Sequence, residues 1–134
     1  MANPESDLKP GFLEFVDPDT VILRPGVQHT SLEDLGSALG QRALRGRFYL
    51  VIDFTRFKHG IDAETRERGF RLVKSEWLLG CVYVKASTPI RLALKVLQLM
   101  NIGGSDFPSE HVATPEEVDA VLARFRRQAA VNAA

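Results

Sequence analysis

Phe48-Tyr49-Leu50-Val51-Ile52-Asp53 is the stretch that decides the fold. An unbroken apolar run rich in aromatic and β-branched residues, too short for a helix and ending on a carboxylate, fits a strand covered on both faces. Leu78-Leu79-Gly80-Cys81-Val82-Tyr83-Val84 repeats the pattern. Between the two, residues 63–76 are strongly charged, yet Phe70, Val73 and Trp77 recur at helical spacing. Gly69 is small enough to let such a helix lie close on a sheet, at some loss of helix propensity. Buried strand, amphipathic helix and buried strand make a βαβ unit, whose crossover is expected to be right-handed.

Working outward, residues 12–16 and 20–24 are short apolar runs separated by Asp17-Pro18-Asp19, a turn signal that predicts a hairpin. Thr30-Ser31-Leu32-Glu33 has the form of a capping box, followed by Leu32, Leu35, Leu39 and Ala43 on one helical face and Gly46 as a stop. Thr88-Pro89 supplies a hydroxyl cap and a proline at a helix start. That helix runs to about Met100 and is closed by Gly103-Gly104. An edge-like stretch at residues 110–113 precedes Thr114-Pro115-Glu116-Glu117, a second capping box. It opens a helix with Val118, Val121, Leu122 and Phe125 on its inner face. The expected order is β-β-α-β-α-β-α-β-α. This is an α/β fold with a mixed sheet of four to five strands and about four helices. Residues 11–128 form one domain, with flexible ends at 1–10 and 129–134.

Charge and composition narrow the function. Seventeen Lys and Arg balance seventeen Asp and Glu, so no net field selects a polyanion, and nucleic acid is not expected as a partner. The single cysteine, Cys81, lies inside an apolar strand and is expected to be buried and inert. The first ten residues are polar and lack a signal-peptide core, and no apolar run is long enough to span a membrane. A cytoplasmic location follows as the expectation.

This order of elements, together with two local patterns, resembles the STAS family, and more narrowly its bacterial SpoIIAA-like branch grouped as STAS/SEC14. The first pattern is Tyr49-Leu50-Val51-Ile52-Asp53-Phe54-Thr55, then a loop to Ile61-Asp62 and a helix. The second is Val82-Tyr83-Val84-Lys85-Ala86-Ser87-Thr88-Pro89, a strand running into an apolar helix. The resemblance covers about residues 12–127 and implies a protein-interaction role in regulation. In the anti-sigma-factor antagonists of that family, an Asp-Ser-Ser-Gly-type loop carries the phosphate-accepting serine directly after the aspartate. Here the matching stretch is Asp62-Ala63-Glu64-Thr65. Ala63 has no hydroxyl, so it cannot receive the added charge through which such a switch works. Thr65 is the nearby hydroxyl that could substitute as acceptor, and Asp62 is expected to cap the helix.

The residues themselves offer little catalytic apparatus. His29, His59 and His111 fall in three separate loops, none with a second His or a Cys at metal-binding spacing, so no metal or cofactor is expected. No phosphate-cradling, nucleotide-binding or nucleophile-elbow motif is present. Asp53, Asp62 and Glu64 could converge at one end of the sheet, but carboxylates there usually cap helices. The charged helix pairs Glu64 with Arg68 and Glu67 with Arg71 at i,i+4, which suits a solvated face or, with Arg66, a docking face. Residues 89–100 are less ordinary. Ile90, Leu92, Ala93, Leu94, Val96, Leu97, Leu99 and Met100 leave Arg91, Lys95 and Gln98 as a narrow polar stripe. That is more apolar arc than packing on one sheet needs. Neighbouring helices could cover the surplus, or Leu94 and Leu97 could face a partner, a second copy of the chain, or lipid. The expectation is a non-enzymatic interaction module working through Thr55, Asp62, Ala63, Glu64, Thr65, Arg66, Leu94 and Leu97. The rivals are a small-molecule or lipid binder and, less favoured, an enzyme built on Asp53 and Asp62.

Overall fold

The computed structural model describes residues 13–25, 32–56, 73–99 and 107–133. In chain order these form β1 (Leu13–Val16), β2 (Thr20–Leu23), α1 (Leu32–Ala43), β3 (Phe48–Asp53), β4 (Leu78–Val84), α2 (Thr88–Leu99), β5 (Ser109–Val112) and α3 (Val118–Ala133). Single 3-10 turns at Ser75–Trp77 and Pro115–Glu117 lead into β4 and α3. The five strands make one mixed sheet in the order β1-β2-β3-β4-β5. β1 and β2 are the antiparallel hairpin expected from Asp17-Pro18-Asp19, and its Asp17–Pro18 peptide is cis. All other neighbours are parallel.

Alternation along the two central strands explains why they read as unbroken apolar runs. Phe48, Leu50 and Ile52 point to one face, with Val21, Cys81 and Tyr83, and meet Leu35, Ala38 and Leu39 of α1 and Leu94 of α2. Tyr49 and Val51 point to the other, with Val82, Val84 and Val112, and meet Val118, Val121, Leu122 and Phe125 of α3. Both faces are covered, so neither parity of the strand can be polar. Each fully buried large side chain contributes about 1.5–3 kcal/mol relative to exposure.

α3 sits close on its face because Gly80 lets it. The β3–β4 register shifts by one residue between Phe48, paired with Leu78, and Tyr49, paired with Gly80. A Cβ at Gly80 would stand 3.0 Å from Phe125 and 3.1 Å from Tyr49. Those two rings stack with centroids 6.3 Å apart. The space a side chain would occupy is filled by Phe125.

The helix ends follow local chemistry. α1 closes at Gly46, whose φ of +124° is costly for any residue with a side chain, and Gly46 N donates to the Ala43 carbonyl at 3.0 Å. At the start of α3, the Glu117 carboxylate accepts from the backbone N–H of Ala113 (2.9 Å) and Thr114 (2.8 Å), the return half of the predicted capping box. These bonds hold the Glu117 carboxyl below its usual range. The cap of α2 lies one residue earlier than expected. Ser87, not Thr88, stands outside the helix; its Oγ accepts from Ile90 N at 3.5 Å, and Arg91 N bonds its carbonyl at 2.9 Å.

Three further expectations meet the structure unevenly. The helix expected over residues 63–76 falls mostly outside the described residues, and its described part is not α-helical: Val73 is in a bend and Ser75–Trp77 is a 3-10 turn. Val73 and Trp77 pack on the α1 face of the core. The Ala-rich end is helical through Ala133, although its exposed residues show no apolar period. The Thr30 box, Gly103-Gly104 and residues 1–10 lie outside the described residues.

Candidate functional site

In sheets of parallel strands, ligand and partner sites gather at the carboxyl ends, where loops leave for the helices. Here β3, β4 and β5 end side by side. Beyond the sheet proper, Phe54 N donates to the Val84 carbonyl at 2.9 Å and Lys85 N to the Val112 carbonyl at 2.8 Å. These bonds extend the ladder past the strands and make one continuous carboxyl edge from residues 53–56, 84–88 and 112–114.

Each segment places its side chains differently. Asp53 is half-buried, and its Oδ1 accepts from Thr55 N at 2.9 Å and from the Thr55 hydroxyl. That closes a local turn of the kind Asp commonly makes after a strand. Phe54 is buried in the α1 face of the core, while Thr55 and Arg56 are exposed. Lys85 is the unusual residue. It is not glycine, yet its φ is +56°, a conformation that costs about 1–2 kcal/mol. The flanking bonds of Phe54 and Lys85, with Ala86 buried behind, hold it there. Its side chain is exposed on the edge. Ser87 and Thr88 follow, both exposed, and the exposed stripe of α2 continues as Arg91, Leu92 and Lys95.

The beginning of the sheet is built in the opposite manner. Arg42, buried on α1, donates to the carbonyls of Gly46 (3.1 Å) and Pro18 (3.0 Å), and its guanidinium lies over the Phe48 ring. On the other face, Arg126 of α3 donates to both Asp19 carboxylate oxygens, at 2.7 and 3.2 Å, and lies over the Tyr49 ring. The Arg126 bond holds the Asp19 carboxyl below its usual range. Two arginines from opposite layers thus clasp one hairpin turn.

Of the residues singled out by sequence, Thr55 lies on the carboxyl edge and is exposed. Asp62, Ala63, Glu64, Thr65 and Arg66 lie outside the described residues, as do His29 and His59. Leu94 corrects the reading of α2. It is 5% exposed and packs into the α1 face of the core, so it is an inner residue and not a partner-facing one. Among the described side chains of α2, Leu92, at 60% exposure, is the large apolar one presented outward. The Leu97 side chain lies outside what is described. An almost wholly apolar helix gives no phase, so its inner face could not be chosen from spacing. Lys85 carried no signal either, since nothing in Val84-Lys85-Ala86 announces a left-handed residue.

His111 is in β5, not a loop, and pairs with Tyr83 across the strands, its ring stacked on the tyrosine at 4.9 Å. Burial and the nearby Arg91 charge hold the imidazole below its usual pKa. Cys81 is buried, and burial pushes its thiol up to about 12, which leaves it un-ionised at neutral pH. Burial likewise raises the Tyr83 phenol. Among the described residues no three His, Cys, Asp or Glu side chains converge as a metal-holding group, and no helix is long and apolar enough to cross a membrane.

No family model, curated protein or solved structure matches the chain.

Proposed function

We propose that this chain is a non-enzymatic interaction module of the STAS type, related in manner to the anti-sigma-factor antagonists but without their phosphate-accepting serine. Its working surface is the carboxyl edge at Thr55, Lys85 and Ser87, continued along α2 by Arg91, Leu92 and Lys95. The observation that carries this reading is the strained Lys85. Non-glycine residues held in the left-handed region cluster at binding and switch sites. The result is a raised cation beside exposed hydroxyls and one exposed leucine, a mixture suited to a protein surface.

Asp53 supports binding over acid–base chemistry, because its Oδ1 is already occupied by the backbone N–H and hydroxyl of Thr55. A partner of the module is a protein, a second copy of the chain being one form of it.

Affinity capture from the source cell tests the reading. The unaltered chain should retain a defined protein that Leu92→Glu and Lys95→Glu lose, while Val131→Glu, at an exposed site on α3, retains it. Equal capture by all three variants, or co-purifying lipid in place of protein, would overturn it.

A further inference from the structure

The formal charge is zero, but it is unevenly distributed. Where α1 ends and β3 and β4 begin, Arg45, Arg47 and Lys74 are all exposed. Placement near a helix C-terminus accounts for Arg45. It does not account for Arg47 or Lys74, which lie in connecting segments. Arg47 is held along the start of β4 by a 2.5 Å bond to the Leu78 carbonyl, and Lys74 lies over the Trp77 ring at 5.8 Å. Among the described residues, the exposed acids of this end of the sheet are Asp17 and Glu76.

An apolar element sits among these cations. Leu44, one helical turn beyond Gly40, is 81% exposed. Gly40 is the point where Trp77 meets α1: a Cβ there would lie 3.8 Å from the indole. Trp77 is half-buried and packs against the core. Arginine and tryptophan are enriched at interface centres, the exposed leucine adds apolar area beside them, and the excess of cations sets the sign of what can cover them.

The geometry points to a second docking surface, at Leu44, Arg45, Arg47, Lys74 and Trp77, for an acidic protein segment that carries one large apolar side chain. The acids pair with the cation rim and the apolar side chain packs on Leu44 and the indole. This surface lies at the opposite end of the strands from the carboxyl edge, so it stands or falls separately from the proposal above.

Trp77 is the chain's single tryptophan, so its fluorescence reports the corner directly. The full chain is titrated with four probes: short Asp/Glu peptides with a central Leu or Phe, the same peptides with Lys in place of the acids, Asp/Glu peptides lacking the apolar residue, and phosphatidylcholine–phosphatidylserine vesicles. The acidic-apolar peptides should shift Trp77 emission and saturate. Their affinity should fall at high salt and drop about tenfold in Leu44→Ser and in Arg45→Glu. Both sites are exposed, and unchanged melting temperatures would show that the variants fold. Equal response to all peptides, equal affinity in the variants, or a response to vesicles with none to the acidic-apolar peptides would overturn the assignment.

Discussion

The arginines that hold the hairpin turn and the polar side chains of the carboxyl edge serve different purposes. At the amino ends, Arg42 and Arg126 turn inward and bond the hairpin turn at Pro18 and Asp19, each with an aromatic ring beneath it. At the carboxyl ends, Lys85, Ser87, Arg91 and Lys95 turn outward, and the backbone bears strain to present the first of them. Groups bonded inward contribute stability and are unavailable to a partner; groups held outward contribute little stability and are available. Substitutions of Arg42 and Arg126 should therefore move melting temperature, and those of Lys85, Leu92 and Lys95 should move binding to the carboxyl edge.

Phe125→Ala is the strongest test of the first half of that contrast. Phe125 fills the space over Gly80 and stacks on Tyr49, so its loss should cost about 3–5 kcal/mol, read from denaturant unfolding. Gly80→Ala should cost about 1–3 kcal/mol by overpacking against the same ring. In a Phe125→Ala background that penalty should largely vanish, because the two changes share one space. Additive costs would show that α3 is not held by this contact.

Asp19→Asn should have a smaller effect with a pH signature. The bond from Arg126 depresses the Asp19 pKa in the folded state, so the carboxylate stabilises the fold above its unfolded value of about 3.9. That contribution is lost as pH falls through the folded value. The substitution should cost about 1 kcal/mol at neutral pH, the pair being partly solvated, and the gap from wild type should close in acid. A gap that widens in acid would contradict the clasp. At the other end the sign reverses. Lys85→Gly removes the left-handed strain and should stabilise by about 0.5–1 kcal/mol, while weakening partner capture. A destabilised Lys85→Gly would mean that the lysine side chain serves the fold.

The sequence was most legible where one short stretch contained its own reason. The unbroken apolar runs announced β3 and β4, Asp17-Pro18-Asp19 announced the hairpin, and Gly46 and Thr114-Pro115-Glu116-Glu117 announced helix ends. Legibility failed where the reason was distant or the pattern degenerate. The Arg126–Asp19 pair joins residues far apart along the chain, and no local pattern foretells it. Ser87 and Thr88 are adjacent hydroxyls with equal claims to cap α2. The apolar surplus of α2 put Leu94 on the wrong face, and it is Leu92 that emerges. The Ala-rich end lacked a period because its residues from Arg126 onward are exposed, leaving no buried stripe to mark the helix.

Binding of the captured partner to Leu92→Glu and Arg126→Gln, measured by calorimetry beside their melting temperatures, tests the central claim most directly. The account predicts that Leu92→Glu melts like wild type and gives no binding heat, whereas Arg126→Gln melts lower and binds with unchanged affinity. The reverse pattern, with binding lost at Arg126 and kept at Leu92, would contradict it.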